Sequence, residues 1–112
     1  MKNVTAIIRP EKLEDIRRAL NQVGYSGLMI SEIEGHGKQK GLVQQWRGEK
    51  YKVDLISKIK LEVVVQDAEV DIIKKTIIEN ARTGEIGDGK IFVTNVDDVV
   101  RIRTGEEGKT AL

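Results

Sequence analysis

The chain has 112 residues, 39% of them hydrophobic and 33% charged, which suits one compact domain with a modest core. Its 19 basic and 18 acidic residues nearly cancel to a net charge of +1, which argues against a general nucleic-acid binder, since such a protein carries a clear basic excess. With no cysteine there is no disulfide framework and no thiolate metal site; with no apolar run near ~18–20 residues there is no membrane span; and MKNVTAIIRP lacks the apolar stretch of a signal peptide, all of which fits a cytoplasmic protein.

Residues 3–8 (NVTAII) read as a short strand. Pro10 suits the first turn of a helix, where its missing N–H costs nothing. Leu13, Ile16, Leu20 and Val23 then recur at helical spacing and predict one buried face. Gly24 and Gly27 bracket the exit, and residues 28–34 (LMISEIE) read as a second strand. From about Gly35 to Asp54 the chain is polar and shows no sustained apolar period. At about 20 residues it exceeds the ~12–15 beyond which a loop in a compact domain is usually functional or disordered. His36 is expected to be a loop residue rather than a metal ligand, since a single imidazole in a chain without cysteine is weak evidence for a metal site.

Residues 57–66 (SKIKLEVVVQ) restore alternation, with Ile59, Leu61, Val63 and Val65 on one face and Lys58, Lys60, Glu62 and Val64 on the other. Asp67 is placed to cap a helix in which Val70, Ile73, Ile77 and Ala81 share a face, ended by Gly84. Residues 91–96 (IFVTNV) form a further strand and 98–103 (DVVRIR) a short last one, followed by a polar tail expected to be mobile. The order β-α-β, long loop, β-α-β predicts an α+β fold, the ferredoxin-like βαββαβ sandwich with right-handed crossovers and a short C-terminal strand, as a single domain over 1–112. Both helices then cover one face of the sheet. The other carries Ile7, Met29 or Ile30, and Val64, and is expected to be buried by self-association.

The segment TGEIGDGKIF (83–92) imitates the phosphate-binding pattern G-x-x-x-x-G-K-[ST], but Ile91 stands where the Mg²⁺-binding hydroxyl belongs. A helix precedes it and a strand follows, so the nearest helix end has the wrong dipole sign for phosphate. Phosphate binding is possible another way. Gly84, Gly87 and Gly89 can turn backbone amides toward an anion, Lys90 adds a cation, and Arg101 and Arg103, two apart on a strand, would face it together. Spacing alone leaves open the alternative of a tight helix-to-strand turn beside surface arginines. In the long loop, Trp46 and Tyr51 stand among Arg47, Lys50 and Lys52. Aromatics beside cations favour a docking arm over a solvated hairpin tip. An RNA-binding sheet would need several strand aromatics, and Phe92 is the lone one.

In this order and spacing, GKQKG (37–41), WRGEKY (46–51), KIKLEVVV (58–65), TGEIGDGKIFV (83–93) and RIRTGEEG (101–108) make the chain resemble, over nearly its whole length, the PII-type nitrogen-regulatory signal-transduction proteins. The resemblance implies a homotrimer of ferredoxin-like subunits that binds ATP or ADP in clefts between subunits. It also implies sensing of 2-oxoglutarate when Mg-ATP is bound. The T-loop, here about 36–54, would dock onto ammonium transporters or nitrogen-metabolism enzymes, with membrane contact only through a transporter. The phosphate-binding loop falls at about 82–90 and the C-terminal segment at about 98–112. Matched position by position, Gly87, Asp88, Gly89 and Lys90 fall in the phosphate loop, with Arg101 and Arg103 as its partners across a subunit boundary. Met29 and Val64 lie at adenine, and Gly35, Gly37, Lys38 and Gln39 form the other wall. Gln39 would ligate Mg²⁺, and Lys58 would pair with the distal carboxylate of 2-oxoglutarate beside Lys40 and Gly41. Tyr51 matches the tyrosine uridylylated in some members, and Arg47 a transporter-plugging arginine. Met29 replaces a usual small hydroxyl residue, Lys38 a frequent arginine, and Trp46 a common tyrosine. The implied protein is a regulator; the alternative is a small nucleotide-hydrolysing or phosphotransferring enzyme using GEIGDGK.

Overall fold

A computed structural model describes the backbone of residues 1–36, 43–46, 49–52 and 55–112, with side chains described outside 35–55. Strands β1 (Lys2–Ile8), β2 (Met29–His36), β5 (Leu55–Val65) and β6 (Gly89–Asn95) form one sheet in the order β2-β5-β1-β6. Every neighbouring pair in it is antiparallel. Helix α1 (Leu13–Gln22) carries the chain from β1 past β5 to β2, and α2 (Val70–Ala81) carries it from β5 past β1 to β6. The two βαβ units therefore interleave, as the ferredoxin-like arrangement requires.

Period-two alternation decides what the sheet buries. Val4, Ala6 and Ile8 of β1 and Ile59, Leu61, Val63 and Val65 of β5 point to one face and pack with Ile16 and Leu20 of α1 and Ile73, Ile77 and Ala81 of α2. Each such large side chain, withdrawn from water, stabilises the fold by about 1.5–3 kcal/mol before chain entropy is counted. The expected helical faces hold except at Val23, which lies just past the end of α1 and is 42% exposed. Pro10 begins a separate 3₁₀ turn, Pro10–Lys12, that leads into α1.

Among the described residues no helix packs on the opposite face. Register places Met29, Glu62, Thr5 and Phe92 in one row across it, Ser31, Lys60, Ile7 and Lys90 in the next, and Val64, Asn3 and Thr94 in the row on the other side. Met29, not Ile30, belongs to this face, because Ile30 pairs with the core residue Leu61. Met29 and Phe92 are each about half exposed there.

Several expectations are corrected. The segment 35–54 is not without secondary structure: β3 (Val43–Trp46) and β4 (Glu49–Lys52) form a two-stranded antiparallel ladder, pairing Gln44 with Tyr51 and Trp46 with Glu49. Its strands are polar, so no apolar period announced them. His36 closes β2 opposite Leu55 and is not a loop residue. Asp67 does not cap α2 with its side chain. The pairing of Lys2 with Val65 brings the amino terminus to the end of β5, and Asp67 takes the Met1 ammonium at 2.9 Å instead. Helix α2 ends at Ala81, and Gly84 lies in the following turn with φ of 89°. The expected C-terminal strand at 98–103 shrinks to one bridge, Val100 to Glu107. Beyond it the tail folds back: Gly108 N donates to Val99 O, and Gly108–Ala111 form a 3₁₀ turn.

Candidate phosphate loop and its partners

The loop between α2 and β6 is organised by one carboxylate. Asp88 accepts hydrogen bonds from the Thr83 hydroxyl, from the amides of Thr83 and Gly84 at 2.9 Å each, and from Arg9 Nε at 3.0 Å. The Thr83 hydroxyl and amide, with Arg9 and the Gly84 amide, hold the Asp88 carboxyl well below the usual carboxylate range. Arg9, immediately after β1, also donates to the Ile86 carbonyl at 2.9 Å, and Lys58 of β5 donates to the Gly87 carbonyl. Partial burial and the neighbouring Arg9 charge push the Lys58 ammonium down.

Three glycines make the path possible. Gly84, Gly87 and Gly89 have φ of 89°, 103° and 106°, a region costly for residues with a Cβ. At Gly89 a Cβ would stand 1.7 Å from the Ile7 carbonyl, so the entry of β6 against β1 admits only glycine. Lys90 follows on β6, paired with Ile7, with its side chain exposed on the face opposite the helices. Beside the loop opens a cleft of about 260 Å³, walled by Ile7, Ile77, Ile78 and Ile91, with Arg82 and Lys90 among its lining residues. The loop leaves a helix C-terminus and enters a strand, as its sequence suggested, so it lacks the helix dipole of a P-loop.

The remaining site residues divide by place. Gly35 sits on β2 opposite Ile56, at the same end of the sheet as Lys58 and the loop. Val64 sits toward the other end, about 20 Å along β5 from Lys58 at ~3.3 Å per residue, while Met29, opposite Glu62, lies in the middle of the sheet, one row beyond Lys60 and Lys90. Arg101 and Arg103 are not on a strand and share no strand face, because residues 102–104 turn back. Their segment leaves the far end of β6, where Val96 N bonds to Met1 O. Arg101 is held within it, donating to Glu106 Oε1 at 3.0 Å and to the Thr110 and Leu112 carbonyls at 3.2 and 3.4 Å. Arg103 is exposed. Within one chain, the loop with Lys58 and Lys90 and the turn with Arg101 and Arg103 thus lie at opposite ends of the sheet. Gly37, Lys38, Gln39, Lys40, Gly41 and Arg47 lie outside the described residues; Trp46 and Tyr51 lie on β3 and β4. Among the described residues no three His, Cys, Asp or Glu side chains gather as a metal site, and no helix is long and apolar enough to cross a membrane.

Sequence reasoning missed Arg9, Thr83 and Glu106. No spacing rule links residue 9 to residue 88; the pairing of Ile8 with Gly89 does. Glu62 was also missed. It stands between Met29 and Thr5, and the Asn3 amide at 2.9 Å leads the bonds that hold its carboxyl below the usual range, against the opposing effect of burial.

A four-stranded antiparallel sheet with two helices on one face, a two-stranded ladder and an Asp88-centred glycine loop define a ferredoxin-like α+β sandwich, and the loop is not built as a P-loop. The chain matches the model of the family Nitrogen regulatory protein P-II over residues 1–106. It is 52% identical, over all 112 of its residues and 97% of the relative, to Nitrogen regulatory protein P-II 2 of Methanothermobacter thermautotrophicus. It is likewise 52% identical, over the full length of both chains, to Nitrogen regulatory protein P-II of Haemophilus influenzae and to Nitrogen regulatory protein P-II 1 of Escherichia coli K12. The chain belongs to the P-II family of nitrogen-regulatory signal-transduction proteins.

Proposed function

We propose that this P-II protein binds ATP or ADP in clefts between subunits of a homotrimer, senses 2-oxoglutarate together with Mg-ATP, and controls targets such as ammonium transporters through the arm at about 36–54. The observation that carries the reading is the division of the site. The glycine loop, Lys90 and Lys58 stand at one end of the sheet, Val64 and the segment of Arg101 and Arg103 belong to the other, and Met29 lies in a row between them. A second copy that lays its far end against the first chain's loop completes a polyphosphate site. It also covers the half-exposed Met29 and Phe92, whose exposure is otherwise unfavourable.

In such a cleft the loop amides and Lys90 take phosphate oxygens, and the partner's guanidiniums neutralise the outer charge. Arg101 would exchange Glu106 for phosphate. A dicarboxylate next to a triphosphate is a dense cluster of negative charge and requires a divalent cation and further basic groups. Mg²⁺, with Gln39 as the proposed protein ligand, and Lys58 supply these. Binding of 2-oxoglutarate and ATP would then be reciprocal, with a coupling of about 1–3 kcal/mol. The alternative enzyme reading lacks both the hydroxyl after Lys90 and the helix N-terminus that a P-loop uses.

Titration calorimetry with Mg²⁺ present tests the reading. ATP should bind, and 2-oxoglutarate should bind only when ATP is present. No ATP binding, or ATP binding indifferent to 2-oxoglutarate, overturns it.

A further inference from the structure

Arg9 lies outside every motif that marked the site, yet it makes two bonds to the loop. Its Nε meets Asp88 Oδ1 at 3.0 Å and a terminal nitrogen meets the Ile86 carbonyl at 2.9 Å. Both partners of the ion pair are largely shielded, with side-chain exposures of 18% and 24%, so the pair is better protected from screening than a surface salt bridge. The chain contains no cis peptide among the described residues, and in a trans peptide the C=O and N–H of one unit point in opposite directions. Holding the Ile86 carbonyl toward Arg9 therefore turns the Gly87 amide away from Arg9. Lys58, by taking the Gly87 carbonyl, does the same for the Asp88 amide. Among the described residues, the amides of Ile86 and Gly87 donate to no protein acceptor.

We propose that Arg9 is a positioning residue for phosphate binding. It clamps the Ile86 carbonyl and the Asp88 carboxylate from behind, and so presents the Gly87 amide, followed by that of Asp88, to an incoming polyphosphate. This rests on the nucleotide reading above, but its structural half does not depend on any ligand. Arg9 acts through the loop and does not touch the phosphate. A guanidinium is required because one planar fork serves two acceptors; an ammonium on a flexible stem keeps the charge and loses the fork.

The test uses Arg9→Lys, Arg9→Met and Asp88→Asn in the full chain. Without ligand, the amide shifts of Gly84, Gly87 and Asp88 in the nitrogen–proton spectrum should move in Arg9→Lys, while thermal unfolding stays near that of the parent. With ATP, Arg9→Lys should bind about three- to tenfold more weakly despite its unchanged charge. The Arg9→Met and Asp88→Asn losses should be strongly non-additive in the double variant. Unmoved loop amides in Arg9→Lys overturn the proposal, as does full ATP affinity in Arg9→Lys or additive losses, which would mean direct contact with ligand. A parent protein that binds no ATP overturns the nucleotide reading instead, and the amide shifts still decide the clamp.

Discussion

The glycine loop and the C-terminal turn each contain an internal ion pair, used in opposite ways. In the loop the protein's own anion, Asp88, is satisfied by Arg9, Thr83 and Gly84, behind the side proposed to meet phosphate. In the turn the protein's own anion, Glu106, pairs with Arg101, the cation proposed to meet ligand. On the proposed reading, the first arrangement would preorganise a site and the second would keep one reversibly closed. Preorganisation lowers the ordering cost of binding, whereas an internal competitor must be displaced. The contrast predicts different responses to mutation in the two halves.

The largest effect belongs to the loop's entry into β6. Gly89→Ala adds backbone strain of about 1–3 kcal/mol and a collision with the Ile7 carbonyl; chemical denaturation should show a clear loss of stability and ATP binding should disappear. Next comes Lys90→Ala, with a loss of about 10- to 100-fold in ATP affinity and an unchanged unfolding midpoint, because Lys90 is exposed on a strand rather than part of the core. Equal losses of stability and affinity there would remove the distinction between a prebuilt loop and a binding cation.

The effect of pH is smaller and confined to the loop. A carboxyl with a lowered folded pKa stabilises the fold above its unfolded value, near 3.9, and loses that contribution as pH falls through its folded pKa. Hydrogen exchange at Gly84 should therefore be flat between about pH 5 and 8, once corrected for intrinsic rates, and lose protection below about 4. Asp88→Asn should show little of this pH dependence. Glu62 and Asp67 are lowered in the same direction, so global acid unfolding does not isolate Asp88. Smallest is Glu106→Gln, which weakens the competitor of Arg101 and should raise ATP affinity by about two- to threefold, measured by calorimetry. A fall in affinity would make Glu106 a support for the turn rather than its latch.

Legibility in the sequence followed the same divide. Strict alternation in β5 and helical spacing in α2 announced the core, because burial of one face enforces period. The glycines of the loop were equally plain, since positive φ at Gly84, Gly87 and Gly89 leaves little choice of residue. What escaped were pairings set by register: Arg9 with Asp88, Asp67 with the amino terminus, and the polar ladder of β3 and β4. The strand expected at 98–103 failed for a related reason. Among the described residues Val99, Val100 and Ile102 join no named strand and have only the single Val100–Glu107 bridge, so the apolar letters stay outside the core, with Ile102 fully exposed.

The central claim is that the loop of one chain and the arginine turn of another form one phosphate site. Lys90→Ala and the double variant Arg101→Ala/Arg103→Ala, each assembled alone, should bind ATP weakly. Co-refolded together, they should regain a subset of high-affinity sites, each pairing an intact loop with an intact turn. Mixed assemblies that bind no better than their parents would contradict the account.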